Sequence, residues 1–210
     1  MNSITDAMSL LLWNPRNSDI QGITMGQINC SDDMLFEKKI SEKDIYDGRV
    51  FKVKVRQIET PEGKPASREL VFHNGGACIL PIDEDMNVYL VKQFRSPFEK
   101  VLLEAPAGKL EDGEDPLVCA TREITEETGF KASNIEYLGD MISTPGYCSE
   151  IIYMYIGTGL TYEGGNPDSG EFISTVKLPL KEALEMAEMG QIEDAKTLII
   201  IYKAARRYGL

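Results

Sequence analysis

The sequence predicts a mixed α/β domain in which a few helices pack on a β-sheet. Segments with strand character recur from residue 49 to residue 178, one amphipathic helix interrupts them at 116–128, and two helical segments follow. Strands interrupted by a few helices are typical of a mixed sheet covered by helices. The chain has 210 residues, of which 42% are hydrophobic and 27% charged, which suits one globular domain with additions.

The N-terminal part divides into two regions. Residues 1–41 mix short apolar runs with Asn, Ser, Asp and Gly, and we interpret them as an extension of unknown role with weak structure of its own. At 51–56 Phe and Val alternate with Lys and Arg, the period-two pattern of a half-exposed strand. A turn with prolines at 60–65 leads to a returning strand at 68–73. Residues 42–73 are therefore predicted to form a small antiparallel β hairpin.

Residues 74–210 are predicted to form the main domain. Its strands are expected at 77–82, 88–94, 101–105, 135–142, 151–157 and 172–178. Two C-terminal helices are expected at 180–189 and 195–208, with Asp194 as the N-cap of the second.

The helix at 116–128 has clear start and stop signals. Asp115 and Pro116 suit the N-cap and first helical positions, and Gly129 suits the end. One apolar stripe is expected to face the sheet, formed by Leu117, Ala120 and Ile124.

The same helix carries a cluster of glutamates. Glu123 and Glu127 are four residues apart and so lie one above the other, with Glu126 beside them. Like charges at this spacing destabilise an isolated helix by a few tenths of a kcal/mol, whereas a hard divalent cation such as Mg²⁺ makes the cluster favourable. From the helix alone, a solvated acidic face is the alternative interpretation.

The full segment favours metal chemistry, because residues 108–130 fit the pattern G-x5-E-x7-R-E-U-x-E-E-x-G-U, where U is a bulky apolar residue. The matching residues are Gly108, Glu114, Arg122, Glu123, Ile124, Glu126, Glu127, Gly129 and Phe130. A chance match at a given start has a probability on the order of one in a billion. This pattern is the Nudix box, and the chain resembles the Nudix hydrolases.

The resemblance implies an α/β/α sandwich around a mixed sheet, preceded here by the small N-terminal β region. It also implies hydrolysis of a nucleoside diphosphate linked to another moiety, with two or three Mg²⁺ or Mn²⁺ ions. Glu123, Glu126 and Glu127 are then metal ligands and catalytic groups, and Arg122 orients them through charge-assisted hydrogen bonds.

Outside the box, the chain resembles the ADP-ribose pyrophosphatase branch. Residues 91–95 (VKQFR) and 103–108 (LEAPAG) are similar to that branch's QxR and ExPAG segments. The resemblance implies that Arg95 contacts the diphosphate, Glu104 helps to hold metal or substrate, and the carbonyl of Ala107 is a metal ligand.

Two further segments extend this similarity. Pro145 falls where a proline marks the branch, and Glu150 matches a glutamate that reads the substrate's terminal ribose. Arg68 and Glu69 match a pair that touches substrate, in some members from the partner subunit, so a homodimer is expected. Open strand edges in the hairpin favour the same assembly, although the N-terminal extension is an alternative cover for that edge.

The attacking water needs a base, and a loop carboxylate is the natural candidate. Residues 164–171 are rich in Gly and Pro and lead into the predicted strand at 172–178. The Gly-Glu-Phe sequence there resembles a branch loop whose glutamate acts as base or late metal ligand. Glu171 is therefore the first choice for base, and Asp168 is the alternative.

The composition disfavours some classes of function and indicates a cellular compartment. The formal net charge of -12 disfavours binding to nucleic acid or an anionic membrane. The four cysteines are scattered, His73 is the only histidine, and no targeting or membrane-spanning segment is visible, so a cytoplasmic protein with reduced thiols is expected. His73 is interpreted as a polar residue that closes a strand.

Three functions are compatible with the resemblance. The first is metal-dependent hydrolysis of ADP-ribose to AMP and ribose 5-phosphate. The second is hydrolysis of another nucleoside diphosphate derivative, such as GDP-mannose or FAD. The third is a non-catalytic ADP-ribose sensor, which the intact box disfavours.

Overall fold

A computed structural model describes residues 34–164 and 172–210. Its elements, in chain order, are β1 (Lys38–Asp47), β2 (Lys52–Glu59), β3 (Pro65–Phe72), β4 (Gly76–Pro81), β5 (Asn87–Arg95), β6 (Lys100–Glu104), β7 (Ala107–Lys109), α1 (Pro116–Thr128), β8 (Phe130–Ile142), β9 (Ile151–Tyr162), β10 (Ile173–Pro179), α2 (Leu180–Glu188) and α3 (Ala195–Tyr208).

The strands form three sheets. The central sheet has the order β7-β4-β9-β8, with β4 and β9 parallel and the other pairs antiparallel. A second sheet has the antiparallel order β10-β5-β6, and the N-terminal sheet has the antiparallel order β1-β2-β3. The predicted mixed sheet and the predicted N-terminal antiparallel region are both present.

Strand β4 separates the two halves of the core. All six of its residues are buried, and their side chains alternate between the faces of the sheet. Ala77 and Ile79 pack in a cluster with residues of α1, whereas Cys78 and Leu80 pack in the cluster that holds residues of α2 and α3. A sheet covered on both faces by helices is an α/β/α sandwich, so the predicted fold class is confirmed.

Helix α1 begins and ends as the sequence predicts, but its buried stripe differs in part. The Asp115 carboxylate accepts hydrogen bonds from two backbone N–H groups of the first turn, and Gly129 ends the helix in the left-handed conformation, with φ of 76°. Ala120 and Ile124 are fully buried as expected. The prediction for Leu117 is wrong, because this residue is 44% exposed and Cys119 is buried instead. Leu117 lies in the first turn of α1 and is not in the cluster that packs this helix on β4, whereas Cys119, two residues later, is.

The N-terminal sheet contains a strand that the sequence pattern does not reveal. Strand β1 pairs along β2, so β2 lies between β1 and β3, and the predicted domain boundary between residues 41 and 42 falls inside β1. Nearly all of β1 is exposed, and its Glu42 accepts hydrogen bonds from Arg56 of β2. The N-terminal segment therefore covers one edge of the predicted hairpin, as the alternative interpretation allowed.

Strand β3 joins the N-terminal sheet to the main domain. The backbone of Val71 donates to the carbonyl of Tyr147 at 2.7 Å and accepts from the N–H of Ser149 at 3.0 Å. Strand β8 also begins earlier than predicted, directly after Gly129, because residues 130–134 continue its pairing with β9. In the part of the chain described, no helix has the length and apolar character that crossing a membrane requires.

Candidate active site

A cleft of about 820 Å³ lies where the N-terminal sheet, the central sheet and the start of α3 meet. The residues around it include both cations and carboxylates. Among those that line it are Arg49, Arg95, Gly108, Glu123, Glu150 and Lys196. Groups predicted to bind metal, diphosphate and ribose therefore share one cavity.

Glu123 of α1 lies against the backbone of Gly108 at the cleft wall. A Cβ atom built on Gly108 would stand 1.6 Å from Oε1 of Glu123 and 2.0 Å from its Cδ. Gly108 belongs to β7 and pairs with Ala77 of β4, so its backbone is fixed by the central sheet. Only glycine leaves room for the carboxylate here, which explains in physical terms why the pattern begins with glycine.

Arg122 connects three of the glutamates. Its Nη1 donates to Glu123 Oε1 at 2.7 Å and to Glu126 Oε2 at 2.8 Å, and its Nε donates to Glu114 Oε1 at 3.3 Å. Burial lowers the pKa of Arg122, but the surrounding carboxylates, Glu114 foremost, outweigh it and raise that pKa above its ordinary value. The guanidinium is therefore a permanent charge that holds these carboxylates in place.

Glu127 lies one turn further along α1, beside the residue whose carbonyl is a predicted ligand. Its side chain is buried, and the backbone N–H of Ala107 donates to Glu127 Oε2 at 3.0 Å. Glu123 and Glu127 thus both lie against the short strand β7, at Gly108 and at Ala107.

The chemistry of these donors suits a hard divalent cation. Carboxylate oxygens and backbone carbonyls are ligands that Mg²⁺ accepts in proteins. The Glu123 carboxylate occupies the space that the missing side chain of Gly108 leaves. Within 34–164 and 172–210, no three acidic, His or Cys side chains are grouped closely enough to hold a metal ion. In this structure, oxygens of Glu123 and Glu126 face the guanidinium of Arg122.

A second charged group faces the cleft from the β5–β6 pair. Arg95 donates from Nε to Glu104 Oε1 at 2.6 Å and from Nη2 to Glu104 Oε2 at 2.7 Å, a bidentate pair. Glu104 is only 2% exposed, whereas 38% of the Arg95 side chain is exposed. Burial raises the pKa of Glu104, but Arg95 and Lys196 outweigh it and hold that pKa below its usual value.

The start of α3 completes this group. Lys196 Nζ contacts Glu104 Oε2 and lies 3.0 Å from Asp194 Oδ2, and both lysine and aspartate line the cleft. Burial lowers the pKa of Lys196, but Asp194 and Glu104 raise it above its ordinary value, so the lysine stays charged. The predicted N-cap is confirmed, because the backbone N–H of Thr197 donates to Asp194 Oδ2 at 3.0 Å.

Glu150 and His73 also line the cleft and lie beside each other. Ser143 Oγ donates to Glu150 Oε2 at 2.8 Å, and His73 Nδ1 lies 3.6 Å from Glu150 Oε1. His73 Nδ1 also accepts from the backbone N–H of Gly75 at 3.0 Å. His73 follows β3 as predicted, and it also lines the cleft.

Comparison with known proteins decides the family. The model of the NUDIX domain matches residues 72–198. This chain belongs to the Nudix family.

Relatives of this Nudix hydrolase carry several names. The chain is 40% identical over 170 residues to a methanol dehydrogenase activator of Bacillus methanolicus, covering 80% of this chain and 92% of that protein. It is 36% identical over 169 residues to an ADP-ribose pyrophosphatase of Bacillus subtilis, covering 80% of this chain and 91% of that protein. The structure of an ADP compounds hydrolase has a similar fold, with a TM-score of 0.73 and 20% identity over 82% of this chain and 94% of that chain.

Some predicted site residues of this Nudix hydrolase lie elsewhere. Arg68 and Glu69 are on β3 and are not among the residues that line the cleft, and Arg68 Nε donates to Glu37 at 3.1 Å. Pro145 is exposed and also does not line the cleft. Glu171 and Asp168 lie outside the described residues.

Among the described residues, sequence reasoning missed three cations of the Nudix cleft. The cleft is lined by Arg49 in the β1–β2 turn, Lys109 at the end of β7 and Lys196 in the first turn of α3. Lys196 lies two residues after the N-cap Asp194, and this spacing is the only local sign in the sequence that the lysine could reach the cleft. Its partner Glu104 is 92 residues away along the chain.

Proposed function

We propose that this Nudix hydrolase cleaves the diphosphate of ADP-ribose, giving AMP and ribose 5-phosphate. The observation that carries the proposal is that Arg95 and Glu123 line the same cleft of about 820 Å³, a volume suited to a nucleotide-sized ligand. An ADP-ribose pyrophosphatase of Mycobacterium tuberculosis is 33% identical over 157 residues, in addition to the Bacillus subtilis enzyme of that name.

The metal ions proposed for this reaction are two or three Mg²⁺ or Mn²⁺. Glu123, Glu126, Glu127 and the carbonyl of Ala107 would hold them, and a bound cation neutralises diphosphate charge and activates water. Arg122 keeps Glu123 and Glu126 in place through the hydrogen bonds described above.

The remaining proposed roles are binding of the substrate and activation of the attacking water. The exposed face of the Arg95 guanidinium would bind the diphosphate, because Arg is suited to phosphate oxygens. Glu150, held by Ser143, would accept hydrogen bonds from the terminal ribose. Glu171, with Asp168 as the alternative, would take the proton of the attacking water.

A different nucleoside diphosphate sugar is the second candidate. A GDP-mannose pyrophosphatase of Cronobacter sakazakii is 35% identical over 139 residues, covering 61% of this chain and 71% of that protein. The metal residues and Arg95 would serve either substrate equally, because they recognise only the diphosphate.

A substrate panel tests this proposal. ADP-ribose, ADP-mannose, GDP-mannose, FAD, NADH and diadenosine polyphosphates are assayed with Mg²⁺ and then with Mn²⁺, and kcat/KM is compared. We expect ADP-ribose to have the highest kcat/KM. A higher value for GDP-mannose would move the assignment to the second candidate.

The metal residues are tested by matched variants. Glu123→Gln and Glu127→Gln keep side-chain size and should lower kcat by orders of magnitude at saturating Mg²⁺. Glu182→Gln, on the exposed face of α2, removes the same charge away from the cleft and should leave kcat unchanged. Near-parental rates in both box variants would overturn the metal assignment.

We also propose a homodimer in which Arg68 or Glu69 approaches the substrate of the partner. Strand β1 is an edge strand, and its Ile40 and Ile45 are exposed at two irregularities of its pairing with β2. Exposed edges of this kind favour pairing with another chain. Ile45→Lys should then shift the sedimentation coefficient toward a monomer, whereas Val101→Lys, on exposed edge strand β6, should not. An active parental monomer at working concentrations would refute the dimer.

A further inference from the structure

We propose that Lys196 is a positioning residue for the substrate diphosphate, acting through Glu104 on Arg95. This inference rests on the proposed function, because it assigns a role in binding the same substrate. It concerns a residue that neither the box nor the two neighbouring motifs contain.

The geometry places one buried carboxylate between two cations. Glu104 is 2% exposed, and Arg95 binds both of its oxygens, at 2.6 Å and 2.7 Å. Lys196 Nζ contacts Oε2 of the same carboxylate, so Oε2 is shared between the guanidinium and the ammonium. Lys196 is itself nearly buried, with a side-chain exposure of 12%.

This sharing matters for the charge that Arg95 offers to a ligand. A bidentate carboxylate by itself neutralises a guanidinium, and in a partly dry site little positive charge would remain for a phosphate. A second cation on Oε2 balances part of the carboxylate charge. Asp194, 3.0 Å from Lys196 Nζ, also accepts from the backbone N–H of Thr197, so its charge is not spent on the lysine alone. Glu104 therefore draws less charge from Arg95 while it fixes the orientation of the guanidinium.

The start of α3 is joined to the sheet by a contact that does not involve Lys196. The backbone N–H of Ala105 donates to Thr197 Oγ1 at 2.7 Å, and this buried bond already joins the start of α3 to the end of β6. Asp194 accepts from the first turn of α3 and lies 3.0 Å from Lys196 Nζ, which keeps the ammonium on the cleft side. Both Lys196 and Arg95 line the cleft, so the lysine is placed for the ligand.

Kinetics of Lys196→Met test the proposal, because Met keeps the length of the side chain and removes its charge. We expect KM for ADP-ribose to rise about tenfold or more with kcat within a few-fold, since a charge that acts on binding alone changes KM. Lys196→Arg should restore most of the affinity. Lys203→Met removes a lysine two turns further along α3, whose Nζ bonds the carbonyl of Leu138, and should leave KM unchanged.

A double variant tests whether the lysine acts through Glu104. In a Glu104→Gln background, Lys196→Met should raise KM little further, because the group that transmits its effect is already changed. Effects on KM that multiply in the double variant would mean that Lys196 acts on substrate independently, and would overturn the positioning role.

The failures of the two proposals are distinguishable. A parental enzyme that hydrolyses no nucleoside diphosphate would refute the proposed function. An active parental enzyme with an unchanged KM in Lys196→Met would overturn this inference alone. Should Lys196→Met not fold, Lys196→Gln keeps a hydrogen-bond donor without the charge, and a parental KM in that variant would overturn the inference equally.

Discussion

Replacing Gly108 with alanine should displace the Glu123 carboxylate, which we propose binds metal, while the fold persists. The new Cβ would stand 1.6 Å from Glu123 Oε1, and an ordinary contact begins near 3.4 Å, so the oxygen must retreat by about 1.8 Å. The backbone at Gly108 cannot yield easily, because it is paired with β4. A misplacement of about 1 Å costs on the order of 10²-fold in rate, so kcat should fall at least that far.

The stability of Gly108→Ala should change much less than its rate. Crowding in a packed region costs about 1–3 kcal/mol, which lowers Tm by several degrees in a chain of this length. Gly63→Ala is the matched control for stability. Gly63 lies in the β2–β3 turn at φ of 77° with nothing within 4 Å of a new Cβ, so alanine there costs about 1 kcal/mol of backbone strain alone.

The assay compares kcat for ADP-ribose at saturating Mg²⁺ with Tm for both variants. We expect Gly63→Ala to lose stability and keep its kcat, and Gly108→Ala to lose kcat far beyond what its Tm explains. A Gly108→Ala enzyme with parental kcat and an unchanged metal requirement would refute the position assigned to Glu123.

Three further predictions concern stability and the base. The pKa of Glu104 is lowered on folding, so its ionised form stabilises the parent relative to Glu104→Gln. In urea titrations from pH 7 to pH 3, this difference in unfolding free energy should be complete above about pH 4.5 and should shrink as the pH falls through the lowered pKa. Asp115→Ala removes the N-cap of α1 and should cost about 1 kcal/mol in urea while kcat of the folded enzyme persists. Glu171→Gln should lower kcat by about 10²–10⁴-fold with KM within a few-fold, whereas a crippled Asp168→Asn beside a normal Glu171→Gln would move the base to Asp168.

Local signals predict much of the fold. Helix α3 spans Ala195–Tyr208, as the predicted range and the Asp194 cap indicate, and α1 lies between its predicted cap residues. Strand β4 is recognisable because a continuous apolar run suits a strand that is covered on both faces. In each case the information lies within the segment itself.

Other features depend on distant partners. Strand β1 reads KKISEKDIYD, with no apolar alternation, and it forms a strand because its backbone pairs with β2 and Glu42 binds Arg56. Exposure of Leu117 depends on where α1 meets the sheet, which the helical period alone does not define. Lys196 enters the cleft only because folding brings α3 to the end of β6.

The most direct test of the central claim is product analysis of the parental enzyme with ADP-ribose. With Mg²⁺ present, we predict AMP and ribose 5-phosphate in equal amounts, and no products once EDTA removes the metal. Metal-independent turnover, or an intact diphosphate after incubation with Mg²⁺ and with Mn²⁺, would contradict the account.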